Sequence, residues 1–362
     1  MEEQKQNTPD FAVLLDIDGV LMKDSVAIPG AGGALASLAS RGVPTVFVSN
    51  GGGRTEATRA AQLSRVLGVP VSPEQVVLPH TPMRALAAAA NEPGTLPVLC
   101  VGRTATEEVA QTLGLQHIAL LGDVASARPF LFPQKRYSSD RVAAARALEP
   151  ERVAADGVSA VFVLEEPEDW GEALQVIVDV LRCENGRVPL AVDSAPVPTA
   201  GGKQSVPVYV ANPDFVYGGE FAFVRYTVGA FMRCLSLLYR ELVGSDLECA
   251  FYGKPELSTY EWARRALAQQ LGTTAHTQLR TIYAVGDNPR SDARAAAAAD
   301  AAAQNGVTWV PVLTRTGCFQ GPPGTNDQVD PADIVADSIV EAVERIFEIE
   351  ANQHQTEEQK SG

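Results

Sequence analysis

The sequence predicts an α/β fold in which parallel strands alternate with helices. Short apolar runs of four to six residues alternate with Ala-, Leu- and Arg-rich stretches that are long enough for helices. This alternation is typical of parallel sheets covered by helices, because a connection between two parallel strands needs a crossover segment. With 362 residues, the chain is too long for one small domain, so we expect two folded units.

The predicted strands are 11–15, 45–48, 96–101, 160–164, 206–210 and 281–285. The predicted helices cover 55–67, 82–91, 104–113, 172–183, 257–271 and 331–349, and the Ala-rich run 293–303 is a further helix by propensity. Residues 1–10 and 351–362 are polar and are predicted to form disordered tails.

The composition excludes several classes of protein. The formal net charge of −15 would repel nucleic acid and anionic lipid head groups. No apolar run approaches the roughly 20 residues that a membrane-spanning helix needs. The five cysteines are irregularly spaced, which argues against a disulfide framework or a zinc site. From these features we expect a cytoplasmic protein in a reducing compartment.

Polar side chains follow three of the predicted strands at the points where those strands end. Asp16 and Asp18 follow the first strand, Ser49 and Asn50 follow the second, and Gly286-Asp287 with nearby Asp292 follows the last. Because loops at the carboxyl ends of neighbouring parallel strands share one crevice, we expect these side chains to meet. Each short motif alone is compatible with an ordinary turn, and it is the combination that indicates a site.

Such a group of carboxylates needs a compensating positive charge. Without a cation the acids would raise one another's pKa values, and oxygen ligands of this kind suit Mg²⁺. Lys254, in a short turn before a helix, is the best candidate for a cationic side chain in the crevice. A carboxylate nucleophile fits phosphoryl transfer, with Asp16 or Asp18 attacking while the other moves a proton.

These motifs resemble those of the haloacid dehalogenase superfamily. The matching segments are LLDIDGVL (14–21), VFVSN (46–50), YGKP (252–255) and GDNPRSD (286–292). The resemblance implies a Rossmann-like core with Asp16 as nucleophile, Asp18 as general acid/base, and Ser49 binding the phosphoryl group. It implies that Lys254 holds the nucleophile and the phosphate. It also implies a Mg²⁺ site of Asp16, Asp287 and the backbone carbonyl of Asp18, supported by Asp292.

The long segment between the second and third motifs resembles the large α/β (C2-type) cap of class IIA. The resemblance implies a core from 11–80 and 215–350 and a cap from 81–214. Asn212 and Asp214 resemble that class's NPD segment and, with Asn50 and Gly51, are expected at the substrate. Segments 49–68, 80–86, 167–181 and 312–319 resemble the eukaryotic cat eye syndrome critical region branch, which implies mitochondrial location as an alternative. Ala295 replaces an expected Gly, which puts the packing behind Asp292 in question.

The sequence therefore predicts a Mg²⁺-dependent phosphatase that acts on a small phosphorylated metabolite. One alternative is a phosphotransferase or mutase that uses the same aspartyl-phosphate. Another is a non-catalytic metal-binding partner protein linked to lipid metabolism. Neither nucleic acid nor a membrane span is expected, and a homodimer is compatible with the sequence.

Overall fold

The computed structural model describes residues 9–217, 221, 223–271, 279–303 and 306–361. Its strands are β1 (Phe11–Asp16), β2 (Met22–Lys23), β3 (Val26–Ala27), β4 (Thr45–Val48), β5 (Val76–Val77), β6 (Val98–Val101), β7 (Ile118–Leu120), β8 (Ala160–Val163), β9 (Val208–Val210), β10 (Val216–Tyr217), β11 (Arg225–Tyr226), β12 (Cys249–Phe251), β13 (Thr281–Gly286), β14 (Thr308–Thr314) and β15 (Ile334–Ala336).

The helices are α1 (Ala31–Ser40), α2 (Glu56–Leu67), α3 (Ala87–Ala90), α4 (Thr106–Thr112), α5 (Leu121–Ala127), α6 (Ser139–Arg146), α7 (Trp170–Arg182), α8 (Val228–Val243), α9 (Leu257–Leu271), α10 (Arg294–Ala302) and α11 (Ile339–Ser361). A 3₁₀ helix at Thr81–Leu86 precedes α3, and a π-helical turn at Pro289–Ala293 precedes α10.

The chain divides into two compact units. The first unit takes the residues up to Ser49, Glu56–Leu78, and the chain from Lys254 onwards, and the second takes Asn50–Thr55 and Pro79–Gly253. This division differs from the sequence-based one, which returned the chain to the core at 215. The physical reason is that β12 pairs in parallel with β9, so this part of the chain completes the sheet of the second unit.

The first unit is built on a six-stranded parallel sheet in the order β15-β14-β13-β1-β4-β5. From β1 the chain proceeds to β4 and β5 on one side, and later enters β13 on the other side. The strand order therefore reverses beside β1, which is where open parallel sheets bind ligands at the carboxyl ends of their strands.

Helices cover both faces of this sheet, and β1 shows why. Its side chains alternate between the faces, as the two-residue repeat of a strand requires. Phe11, Val13 and Leu15 pack in one core with α1, α2 and α11. Ala12 and Leu14 pack in the other core with α9 and α10. Both faces of the strand are buried, so its sequence is apolar throughout.

The second unit has its own parallel sheet of five strands, in the order β12-β9-β8-β6-β7. In β6, Leu99 and Val101 face a core shared with α5, α7 and α8. Val98 and Cys100 face the opposite core, which includes residues of α4. The predicted fold class, parallel sheets flanked by helices, is confirmed in both units.

Two of the predicted helices differ from the structure. The prediction 82–91 is divided between a 3₁₀ helix and the single turn of α3. The prediction 331–349 missed β15, which pairs with β14 before α11 begins at Ile339. Ala295, where a Gly was expected, is fully buried in the core between α10 and α9. The same core contains Tyr260, whose hydroxyl donates to the backbone carbonyl of Asp292.

The predicted C-terminal tail is wrong, because α11 continues to Ser361. Glu350 anchors this helix, although the residues that follow it in the sequence are mostly polar. Its buried carboxylate accepts hydrogen bonds from the Tyr283 hydroxyl at 2.6 Å and from Arg280 Nη2 at 2.7 Å. Of the predicted N-terminal tail, residues 1–8 lie outside the described residues.

Candidate active site

Two strands of the first unit deliver carboxylates to the same edge of the sheet. Asp16 is the last residue of β1, and Asp287 comes directly after β13. These strands are parallel neighbours, with Leu15 opposite Val285. One carboxylate oxygen each of Asp16, Asp287 and Asp292 lies within 4.8 Å of the others, and all three residues are buried. The structure thus brings three predicted site residues together.

Lys254 supplies the positive charge of this group. Its Nζ lies 2.7 Å from Asp16 Oδ1 and 2.6 Å from Asp292 Oδ1. Only 3% of the lysine side chain is exposed. Tyr260, in the first turn of α9, donates a hydrogen bond from its hydroxyl to the backbone carbonyl of Asp292 at 3.3 Å. The lysine therefore bridges the carboxylate at the end of β1 and the one that follows β13.

The pKa values of Asp16, Asp287 and Lys254 all lie above their ordinary values. Burial raises the pKa of Asp16 well above its ordinary value, and Lys254 offsets only part of that effect, while Asp292 and Asp287 raise it further. Burial and the charge of Asp292 likewise raise the pKa of Asp287. Burial opposes the charged form of Lys254, but the carboxylates of Asp16 and Asp292 outweigh it and raise the pKa of the lysine.

Three carboxylates and one ammonium group leave an excess of negative charge in a buried site. Acids arranged this way stay ionised only if a further cation joins them. The donor set consists of oxygens, at mutual distances that one ion can bridge. Hard oxygen ligands of this number suit Mg²⁺, which keeps several waters. The residues present therefore fit a magnesium ion.

Two glycines allow the carboxylates to sit this close to the backbone. A Cβ at Gly317 would lie 1.9 Å from Asp287 Oδ2, and one at Gly286 would lie 2.2 Å from the Cβ of Asp292. The backbone N–H of Cys318 donates to Asp287 Oδ2 at 2.5 Å. The N–H of Asn288 donates to Asp292 Oδ2 at 3.0 Å. These bonds fix one oxygen of each acid.

Asp18 is oriented differently from the other acids. Its Oδ2 accepts hydrogen bonds from Arg59 Nη2 at 2.6 Å and from Ser49 Oγ at 2.9 Å. Its side chain is 47% exposed. Among the described residues, the group of carboxylates that could hold a metal contains Asp16, Asp287 and Asp292 but not the Asp18 side chain. The predicted metal contact of Asp18, through its backbone carbonyl, stays a prediction.

Arg59 was not among the predicted site residues. It belongs to the buried face of α2, which also contains Glu56, Ala60 and Leu63. A charged residue at this helical spacing among apolar ones signals a buried partner, and that signal was available in the sequence. Cys318 was also missed as a donor, because it acts through its backbone N–H.

Three of the predicted substrate residues meet in the second unit. The Asn212 side chain donates to the backbone carbonyl of Asn50 at 2.9 Å. The Asn50 side chain donates to Asp214 Oδ2 at 3.0 Å, and the Asp214 N–H donates to Asn212 Oδ1 at 2.7 Å. Gly51 follows Asn50 in the same loop and is exposed. The contact between the Asn50 loop and the 212–214 segment is thus observed, while a role in substrate binding stays a prediction.

Comparison with known proteins identifies the family. The haloacid dehalogenase-like hydrolase family matches residues 13–116, and a second HAD-hydrolase-like family matches residues 251–342. A mitochondrial hydrolase of Saccharomyces cerevisiae is 30% identical over 328 residues, which cover 85% of this chain and 88% of the yeast protein. The chain belongs to the haloacid dehalogenase-like hydrolases. The superfamily predicted from the four motifs is thereby confirmed.

A second relative is a fusion protein of Schizosaccharomyces pombe, described as a cardiolipin synthase (CMP-forming) and mitochondrial hydrolase. It is 30% identical over 332 residues, which cover 90% of this chain and 51% of the fusion protein. The chain thus spans about half the length of that relative.

Several solved structures share the fold. A hypothetical protein of Pyrococcus horikoshii aligns with a TM-score of 0.61 at 18% identity, covering 93% of this chain and 99% of that one. A p-nitrophenyl phosphatase of Archaeoglobus fulgidus gives 0.57 at 18% identity, covering 92% and 98%. NagD of E. coli gives 0.51 at 20% identity, covering 91% and 97%. These similarities support the predicted class IIA fold.

Among the described residues, no helix combines the length and the apolar character that crossing a membrane requires.

Proposed function

We propose that this hydrolase is a Mg²⁺-dependent phosphatase that cleaves a small phosphomonoester through an aspartyl-phosphate on Asp16. The observation that carries the proposal is the buried contact of Asp16 with Lys254 beside Asp287 and Asp292. Lys254 occupies Asp16 Oδ1. That contact holds the carboxylate in one orientation, as a nucleophile requires.

The proposed reaction has two steps. An Asp16 carboxylate oxygen attacks phosphorus while Asp18 gives a proton to the departing ester oxygen. A water molecule then attacks the phosphoryl group and gives its proton to Asp18, which restores Asp16. Asp18 suits this proton transfer because its carboxylate is half exposed and is held by Arg59 and Ser49.

Asp16, Asp287 and Asp292 would hold the Mg²⁺, with Lys254 as the second positive charge. The ion would neutralise charge on the transferring phosphoryl group and keep it in line with its attacking and leaving oxygens. Uncatalysed hydrolysis of phosphate monoesters is extremely slow, so positioning and charge neutralisation together must supply most of the rate enhancement.

We propose that the second unit is the cap that selects the substrate. Its loop Asn50–Thr55 follows Ser49 directly in sequence, and the hydrogen bonds of Asn50 with Asn212 and Asp214 order that loop. A cap of this size favours a small phosphorylated metabolite over a phosphoprotein. Because one relative joins a hydrolase to a cardiolipin synthase, phosphate esters of lipid metabolism belong among the candidate substrates.

The test is release of phosphate from a panel of small phosphomonoesters by wild type and by Asp16→Asn. We expect activity that requires Mg²⁺, stops on addition of EDTA, and is absent from Asp16→Asn. Asp246→Asn is the matched control, since the Asp246 side chain is 86% exposed. If wild type binds Mg²⁺ but releases no phosphate from any ester, the proposal is wrong. Transfer of the phosphoryl group to an added alcohol instead of water would indicate the phosphotransferase.

We also propose a reducing compartment, either cytoplasmic or mitochondrial. All five cysteines are unpaired, and the yeast relative is described as mitochondrial. Fractionation of cells that express the native protein tests this, and accumulation in the secretory pathway would contradict it.

A further inference from the structure

We propose that Arg59 is a positioning residue that fixes Oδ2 of Asp18, so that Oδ1 is the oxygen that carries the proton. This inference rests on the proposed phosphatase function. It goes beyond that function by assigning the task of the arginine and by distinguishing the two oxygens of the acid.

The guanidinium group of Arg59 is buried and directed at Asp18. The residue is 5% exposed, on the face of α2 that packs into the core of the first unit. Burial of a charge is unfavourable unless the charge is paired and hydrogen-bonded. Nη2 donates to Asp18 Oδ2, and Nη1 donates to Gln62 Oε1 at 2.8 Å. Asp18 is its only acidic partner among the described residues. Gln62, on the same helix, fixes the plane of the guanidinium group.

Both bonds to Asp18 arrive at the same oxygen. Arg59 Nη2 and Ser49 Oγ each donate to Oδ2, at 2.6 Å and 2.9 Å. Across the described part of the chain, no hydrogen bond reaches Oδ1. An N–H donor favours an oxygen that carries no proton, because the arginine has no acceptor to offer. The proton of the neutral acid therefore belongs on Oδ1.

Arg59 is needed because Ser49 cannot serve two acceptors. A hydroxyl group has one proton to donate. If Ser49 donates to the phosphoryl group, as the family resemblance implies, its bond to Asp18 is lost. The bond from Arg59 then remains to hold the carboxyl group in place. The arginine thus acts through Asp18 and need not touch the substrate.

The proposal predicts a dependence on the leaving group. As the bond from Asp16 to phosphorus forms and the ester P–O bond breaks, Asp18 Oδ1 transfers its proton to the departing oxygen. An alkoxide leaves poorly without that proton, whereas 4-nitrophenolate leaves without help. A misplaced Asp18 should therefore slow the hydrolysis of alkyl phosphates far more than the hydrolysis of 4-nitrophenyl phosphate.

The experiment compares kcat/KM for glycerol 3-phosphate and 4-nitrophenyl phosphate, because kcat/KM reports the step in which the leaving group departs. Arg59→Met should lower kcat/KM for the alkyl ester about 10²-fold, which is the lower end of what acid–base catalysis contributes. For the aryl ester, kcat/KM should fall only about tenfold. Arg59→Lys should recover part of the loss. Asp18→Asn should show the same selectivity, with no further loss in the double variant. Arg65→Met, at an exposed position on the same helix, is the matched control and should leave both values unchanged.

Equal losses on the two esters, with KM raised for both, would mean that Arg59 binds the phosphoryl group and would overturn the proposal. Equal losses accompanied by a lower unfolding midpoint would mean a purely structural role and would also overturn it. If Arg59→Met does not fold, Gln62→Ala, which leaves the ion pair but frees the guanidinium plane, should show a smaller loss with the same selectivity. Activity lost in Asp16→Asn supports the phosphatase whichever result Arg59 gives, so the two claims fail separately.

Discussion

The Nζ atom of Lys254 lies 2.7 Å from Oδ1 of Asp16, although the two residues are 238 positions apart in the sequence. This contact ties the turn before α9 to the end of β1. Lys254 also contacts Asp292, so a single ammonium group serves two buried carboxylates. Much of the chemistry proposed for this hydrolase depends on that arrangement.

Replacing this lysine should affect both stability and activity. Lys254→Met would leave Asp16 and Asp292 buried without their cationic partner, and breaking a buried pair costs about 3 kcal/mol or more. We expect a fall of that order in the free energy of unfolding of the metal-free protein, measured in urea, and loss of phosphatase activity by at least about 10²-fold. Lys23→Met, at an exposed position on β2, is the control. Unchanged stability would mean that the contact is not formed in solution.

Magnesium should stabilise the folded protein through its carboxylates. A ligand at 100 times its dissociation constant raises the free energy of unfolding by about 2.7 kcal/mol. We expect Mg²⁺ to raise the melting temperature of wild type, and Asp287→Asn to remove most of that rise. Differential scanning calorimetry with and without Mg²⁺ measures both. A rise that persists in full in Asp287→Asn would place the ion elsewhere.

Replacing glycine by alanine should disturb the magnesium site at one position and stabilise a helix at another. At Gly317 the new Cβ would lie 1.9 Å from Asp287 Oδ2, so the acid must move and the response to Mg²⁺ should fall. At Gly33, inside α1, a Cβ meets nothing within 4 Å, and alanine should stabilise the helix by about 0.5–1 kcal/mol. Chemical denaturation and Mg²⁺ titration of both variants test this. An unchanged response to Mg²⁺ in Gly317→Ala would contradict the close packing of Gly317 against Asp287.

Thiol reactivity provides a test of the second unit. Burial raises the pKa of the Cys100 thiol to about 12. The folded protein therefore keeps this proton while the unfolded chain, with a pKa near 9.0, releases it. The resulting contribution to stability is complete below pH 9 and is lost as the pH rises toward about 12. At pH 8 we expect a disulfide reagent to modify exposed Cys234 rapidly and Cys100 only after unfolding.

Removal of Cys100 gives the control for the same measurement. Cys100→Ala should lack one slowly reacting thiol and should show a weaker fall in stability above pH 9. Rapid modification of Cys100 in the folded protein would show that β6 is not buried as described.

The elements that the sequence predicted best are those that local pattern determines. Asp16, Ser49 and Asp287 each follow an apolar run, and the alternation of strands and helices brings the ends of such runs to one edge. The observed register, with Asp16 opposite Val48, places the ends of β1 and β4 side by side. The meeting of these residues could therefore be expected before their distances were known.

Features that depend on long-range contacts were missed. Arg59 lies at the apolar spacing of α2, which indicates burial, but only the position of Asp18 identifies the partner of its charge. Only the end of α11, from 351 onwards, was predicted as a tail, because these residues are polar. The helix is held just before this point by the hydrogen bonds of Glu350 with Tyr283 and Arg280. The three residues of β12 are too few to give a recognisable strand pattern in the sequence, although they complete the second sheet.

The central claim is that Asp16 becomes phosphorylated during turnover, and trapping that intermediate tests it most directly. Wild-type protein is mixed with substrate and Mg²⁺, quenched within one turnover, and reduced with borohydride, which converts an aspartyl-phosphate to homoserine. Mass spectrometry of the peptide that spans β1 then locates the change. We predict homoserine at position 16 in wild type and unmodified residues in Asp16→Asn. Rapid phosphate release from wild type with Asp16 unmodified at every quench time would contradict the account.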